Sequence, residues 1–72
     1  MTINELKRVY PSKATVTELA YFQNGEYYSF RTVYDEPTIL KEIDDDISSL
    51  KIRGIYPREN HIHIDVIRIL DC

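Results

Sequence analysis

The chain is expected to fold as one small α+β domain, ordered as a short N-terminal helix, a β-hairpin, a short helix and a second β-hairpin. The two hairpins would form a four-stranded, mainly antiparallel sheet. Three observations predict this. Asn24-Gly25 separates two runs rich in β-branched and aromatic residues, Ala14 to Phe22 and Glu26 to Tyr34. Two further strand-like runs, Leu50 to Tyr56 and "HIHIDVIRIL" over 61–70, flank the turn "PREN". A helix-start pattern precedes each pair, "TINE" for the first and "DEPTILKEI" for the second.

In the first helix Thr2 stands as the N-cap with Glu5 three residues later, the pattern of a capping box. Ile3, Leu6, Val9 and Tyr10 fall on one stripe, and Pro11 ends the helix by pushing Tyr10 out of the helical region.

An Asn-Gly pair between strands signals a two-residue type I′ turn. Counting outward from it, Phe22 faces Tyr27, Tyr21 faces Tyr28, Leu19 faces Phe30 and Glu18 faces Arg31. Alternation then puts Leu19, Tyr21, Tyr28, Phe30 and Tyr34 on one face, expected to be the core face. Val16, Glu18, Ala20, Phe22, Tyr27, Arg31 and Val33 share the other, which carries an ion pair in its middle and apolar groups at both ends.

The second helix would take Asp35 or Glu36 as its cap and Pro37 in its first turn, with Ile39, Leu40 and Ile43 apolar. It should stop near Asp44, because three aspartates at a helix C-terminus oppose the macrodipole. Over 37–49, one helix and a short helix followed by irregular or strand-like chain are both open.

Parity constrains the second hairpin. A four-residue loop over 57–60 would split the apolar sets between faces, whereas loops of three or five residues avoid this. Both of those send Leu50, Ile52 and Tyr56 to the core with Ile62, Ile64 and Val66. Both also put Lys51 and Arg53 on the face of His63 and Asp65, with one of the two cations opposite Asp65.

Size and charge set the limits. The 72 residues make a single domain, 1–72, with a thin core. The one cysteine, Cys72, can form no intrachain disulfide, which suits a reducing compartment, and the chain has no leader-like N-terminus and no run of eighteen apolar residues. A soluble, cytoplasmic protein is expected, with no membrane contact. The net charge is −3, and Asp35, Glu36, Glu42, Asp44, Asp45 and Asp46 crowd one segment that holds a single cation, Lys41. No basic stripe with interleaved aromatics is present, so direct nucleic-acid binding is not expected. With glycines at 25 and 54 alone there is no phosphate-cradling loop, and no cofactor is expected.

Few constellations could carry chemistry. His61, His63 and Asp65 project alternately from one strand and could in principle hold a divalent metal, although a solvated strand face is the expected state. Cys72, at the chain end, has no partner that would make it a nucleophile. "EIDDDIS" lacks the alternating ligands, glycine turn and distal glutamate of a calcium loop. Its acidic groups, Asp35, Glu36, Glu42, Asp44, Asp45 and Asp46, read instead as a recognition surface for a basic partner. Tyr27 and Phe22, off the expected core face with Val16, Ala20 and Val33, suggest contact with a partner or a second copy.

An opening helix running into "ELKRVYPSKATV", an Asn-Gly hairpin, an acidic middle and a second hairpin are combined here in one acidic, cysteine-poor domain. This combination resembles small proteins encoded by bacteriophages and prophages, some of them anti-CRISPR or other anti-defence inhibitors. The resemblance spans the whole chain but carries no specific motif, so it transfers no catalytic or binding residue. It implies a non-catalytic protein-binding module that occludes a basic surface of a host defence protein in the host cytosol. The competing expectations are a metal-binding protein or small metal-dependent enzyme using His61, His63 and Asp65, and a structural homo-oligomer.

Overall fold

The first and last strands of the chain lie side by side at the centre of the sheet. A computed structural model describes residues 1–9 and 12–70. In it, α1 (Ile3–Leu6) is followed by β1 (Lys13–Phe22) and β2 (Tyr27–Ile39), a 3-10 turn (Leu40–Glu42), α2 (Asp45–Ser48), β3 (Lys51–Pro57) and β4 (Ile62–Leu70). The strand order is β2-β1-β4-β3. The α+β class and the four strands agree with expectation, but the sheet is mixed. Each hairpin is antiparallel, and β1 pairs with β4 in parallel. The edge strands β2 and β3 therefore run the same way, and the chain between them must cross the sheet from edge to edge. That crossing carries the 3-10 turn and α2, and with α1 it covers one face only.

The core forms under this crossing. Ala14 and Val16 of β1 and Ile62, Ile64 and Val66 of β4 meet Ile3, Leu6, Leu40, Ile43 and Ile47 from the helical segments. The expected core face of the first hairpin is thus reversed. Val16, Glu18 and Ala20 are buried, whereas Tyr28 and Phe30 are 58% and 64% exposed. The cause is the neighbouring strand: Ala14, Val16 and Glu18 sit beside Ile62, Ile64 and Val66, so the apolar series of β4 sets which face of β1 turns inward. Tyr34 alone of the expected set packs against the core.

The first turn also differs. Gly25 N–H bonds the Phe22 carbonyl and Phe22 N–H bonds the Glu26 carbonyl, both at 2.9 Å. Gly25, at φ 88°, is the one described residue with positive φ. This is a three-residue loop, a type I turn closed by a left-handed glycine, rather than the two-residue type I′ turn, which needs positive φ at Asn24 as well. Asn24 instead accepts the Glu26 N–H on its side chain at 2.9 Å. The longer loop shifts the register by one, so that Tyr21 faces Tyr27. A bulge at Tyr28 then restores it, and Leu19 faces Phe30 and Glu18 faces Arg31 as expected.

Both helices are shorter than expected. Thr2 does cap α1, accepting the Glu5 N–H at 3.4 Å. The helix nevertheless ends at Leu6, and Val9, expected on its apolar stripe, is 78% exposed. Tyr10 and Pro11, expected to end it, lie outside the described residues.

Asp35, Glu36 and Pro37 do not start a helix but continue β2, where Pro37 is tolerated because the strand is an edge. The aspartates do not end a helix either. Asp44 caps α2 by accepting the Ile47 N–H at 3.0 Å, and Asp45 and Asp46 fill its first turn. Negative charge there favours the macrodipole instead of opposing it.

The second hairpin has a four-residue connection, 58–61, closed by Arg58 N–H to the His61 carbonyl at 2.9 Å. Parity is restored by a bulge between Ile52 and Gly54, which leaves Ile52 opposite Val66 on the core side. Beyond the bulge Tyr56 pairs with His63 on the uncovered face, so Tyr56 does not join the core. The N-terminus guards the β3 edge, since Thr2 bridges Lys51 and the Met1 carbonyl accepts the Ile52 N–H at 2.8 Å. Among the described residues no helix is long and apolar enough to cross a membrane.

Candidate functional site

The uncovered face of the sheet is laid out in rungs. Parallel pairing sets Thr15 beside His63, Thr17 beside Asp65, Leu19 beside Ile67 and Tyr21 beside Ile69. On the other side of β1, Thr32, Phe30 and Tyr27 of β2 extend the rungs of Thr17, Leu19 and Tyr21. On the other side of β4, Tyr56 extends the rung of His63 and Gly54 that of Asp65. The face is therefore polar toward the start of β1 and apolar toward its end.

His63 is the hub of the polar part. Its Nδ1 lies 2.7 Å from Thr15 Oγ1, and its Nε2 lies 3.0 Å from Asp65 Oδ1 and 3.3 Å from Thr17 Oγ1. A carboxylate only accepts, so Nε2 carries a proton toward Asp65, and in the neutral tautomer Nδ1 accepts the Thr15 hydroxyl. Carboxylate, imidazole and hydroxyl in that order resemble the relay of a hydrolase. Thr15 falls at a register shift toward β2, where it has no cross-strand partner, and pairs with His63 on the β4 side.

The expected cation opposite Asp65 is absent. Gly54 occupies that position, Lys51 pairs with Ile67, and Arg53 falls in the bulge. The three candidate metal ligands nevertheless do not converge. His61 Nδ1 is 2.9 Å from Asn60 Oδ1 in the turn, while His63 and Asp65 bond each other. Among the described residues no group of three or more His, Cys, Asp or Glu side chains could hold a metal. Cys72 lies outside the described residues.

Of the six candidate acidic residues, all are exposed, but they divide by role. Asp44 is held by the Ile47 N–H and by the Tyr34 hydroxyl at 3.1 Å, and Asp46 accepts Arg68 Nη2 at 2.6 Å. The Ile47 hydrogen bond, opposed by a smaller desolvation and helped by the Tyr34 hydroxyl, holds the Asp44 carboxyl below its ordinary value of 3.8. Asp35, Glu36, Glu42 and Asp45 have no side-chain partner among the described residues. The segment is also anchored from behind by Lys7 Nζ and Ser48 Oγ, which both donate to the Ile43 carbonyl, at 3.0 and 3.1 Å.

Arg68 reaches further inward, to Glu18 Oε2 at 2.9 Å, and Arg31 takes Oε1 at 3.2 Å, so the buried Glu18 carboxylate is bonded on both oxygens. Hydrogen bonds to Glu18 and Asp46 hold the Arg68 guanidinium above its ordinary range.

Phe22 and Tyr27, expected to share a patch, part to opposite faces. Tyr27 packs edge-on against Tyr21, with ring centres 5.6 Å apart, on the uncovered side. Phe22 does the same with Tyr28 at 5.1 Å on the helical side. The one-residue shift of the turn separates them.

Sequence reasoning did not find Thr15, Thr17 and Tyr56 as the partners of His63. The signal was the alternation of Thr15 and Thr17 about Val16, which acquires meaning only once β1 and β4 are known to be neighbours. Compared with known protein families, with characterised proteins and with solved structures, the chain matches none.

Proposed function

We propose that the chain is a non-catalytic protein-binding module that presents the acidic segment Asp35–Asp46 to a basic surface of a partner and acts by occluding it. The single observation that carries this is the division of labour within the segment. Asp44 and Asp46 fasten it to Tyr34, Ile47 and Arg68, which leaves Asp35, Glu36, Glu42 and Asp45 exposed and unneutralised. Carboxylates free on a fastened scaffold suit electrostatic recognition, because they steer encounter and little is lost in ordering them. The resemblance to small phage-encoded anti-defence proteins makes a nucleic-acid-binding channel of a host defence protein the concrete target. In that setting the acidic face would compete with phosphate.

The test uses the combined variant Asp35→Lys, Glu36→Lys, Glu42→Lys and Asp45→Lys, which leaves both structural aspartates in place. Native protein and variant serve as bait in host cytosol, and the protein retained is then titrated against both at rising salt. A partner that binds the native chain, weakens with salt and is lost by the variant is expected. A partner held equally by both would reject the acidic-surface proposal.

A further inference from the structure

The Thr15–His63–Asp65 chain of hydrogen bonds stands on the sheet face that α1 and the crossing connection leave open, and we propose that Thr15 is a reactive nucleophile, a modification site that accepts the acyl group of an activated ester. This goes beyond the acidic surface and does not depend on it. The Thr15 hydroxyl lies 2.7 Å from His63 Nδ1, and His63 Nε2 lies 3.0 Å from Asp65 Oδ1. At those distances a neutral imidazole can take a hydroxyl proton while the carboxylate fixes its tautomer and stabilises the imidazolium that results. The Thr17 hydroxyl, 3.3 Å from Nε2, sits on the Asp65 side of the ring and leaves Nδ1 to Thr15.

The hydroxyl is also within reach. The His63 and Asp65 side chains are 21% and 19% exposed, and Thr15 is half-buried. Toward β2 the ladder is interrupted: Ala14 pairs with Thr38 and Val16 with Tyr34, so three residues of β2, 35–37, stand against Thr15 alone and none is its cross-strand partner. At this irregularity an open cleft is lined by Ser12, Lys13, Glu36, Pro37 and Asn60. By alternation Lys13 is on the same face as Thr15, one step back along β1. A small acyl donor entering from the cleft meets Thr15 on the side that has no neighbour.

The step balances without any further reagent. Thr15 Oγ1 bonds to the carbonyl carbon, and its proton passes to His63 Nδ1. The bond from that carbon to the leaving-group oxygen breaks, and the oxygen departs with the electron pair. An ester on Thr15 and an imidazolium paired with Asp65 remain, and the imidazolium returns its proton to solvent.

The experiment treats the purified chain with p-nitrophenyl acetate, alongside Thr15→Ser, Thr15→Val, His63→Gln and Asp65→Asn, each checked by far-ultraviolet circular dichroism. Trypsin then releases residues 14–31, which contain no lysine, so an acetyl group on that peptide is an ester, and fragmentation assigns it to one residue. Acetylation of Lys13 instead blocks cleavage there and gives a longer peptide. Thr32, an exposed hydroxyl with no imidazole partner among the described residues, is the internal reference. Thr15 should be acetylated at least about 100-fold faster than Thr32, the lower end of what a positioned base supplies. His63→Gln should bring the rate down to that of Thr32, and Asp65→Asn should lower it at least about 10-fold. Thr15→Ser should keep the label at position 15, and Thr15→Val should lose both the label and the release of p-nitrophenolate. A native chain whose Thr15 reacts no faster than Thr32 overturns the proposal without recourse to any variant. So does labelling that survives His63→Gln, or a Thr15→Val chain that releases p-nitrophenolate as fast as the native one, which would place the attack on the imidazole. No partner protein is present, so a failure here leaves the acidic-surface proposal to its own test.

Discussion

Gly54 lies directly opposite Asp65, and the ring of Tyr56 lies over the space that a side chain at Gly54 would take. A Cβ built there would be 2.6 Å from the Tyr56 hydroxyl oxygen and 2.9 Å from Cζ. Tyr56 covers the bare backbone beside the His63–Asp65 pair, with its ring centre 6.3 Å from that of His63.

The glycine is therefore coupled to the tyrosine. Gly54→Ala should displace the Tyr56 ring. Since that ring end is exposed and free to swing, and glycine is itself unfavourable in a strand, the net change should stay within about 1 kcal/mol. In a Tyr56→Ala background the same substitution should become stabilising. A double-mutant cycle in urea measures this, and an identical effect of Gly54→Ala in both backgrounds would show that the two residues do not interact.

The two arginines on Glu18 should differ in weight. Arg68 is 29% exposed and joins Glu18 to Asp46, whereas Arg31 is 68% exposed. Arg68→Met keeps the aliphatic stem but leaves a buried carboxylate half-bonded, and should cost about 2–3 kcal/mol. Arg31→Met should cost within about 1 kcal/mol, as an exposed pair does. Equilibrium urea unfolding of both variants gives the comparison, and equal losses would contradict it.

Acid sensitivity should trace in part to Asp44. Its carboxyl is held below 3.8 in the folded chain by the Ile47 N–H and the Tyr34 hydroxyl. A depressed folded value means that the contribution is complete above the unfolded value and is lost as pH falls through the folded one. Thermal unfolding of the native chain should therefore lose stability on acidification below about 3.8 more steeply than that of Asp44→Asn, while the variant is the less stable of the two near neutrality. Parallel pH profiles for the two would remove Asp44 from the account.

Short-range chemistry was legible in the residues. Thr2 caps the first helix, Asn24-Gly25 makes the first turn, Glu18 meets Arg31, Leu19 meets Phe30, and Ile62, Ile64 and Val66 face inward. The cap and the turn depend on groups a few positions apart, and the inward series on one strand's own alternation. The two cross-strand pairs follow a count from the turn that the longer loop displaced and the bulge at Tyr28 restored. The exposure of the acidic segment belongs here too, since its composition leaves it nowhere else to go.

What only the tertiary structure decided is which strands are neighbours, and with it every choice of face. The parallel pairing of β1 with β4 turned Val16 and Ala20 inward and Phe30 outward, and brought Thr15 and Thr17 to His63 across nearly fifty residues of chain. Bulges at Tyr28 and Arg53 corrected registers that counting alone misplaces, one of them replacing the anticipated cation opposite Asp65 with Gly54. The reason is physical: a strand's alternation defines two faces but not which one is buried. That is decided by the apolar face of the strand it pairs with and by where the crossing chain comes to rest.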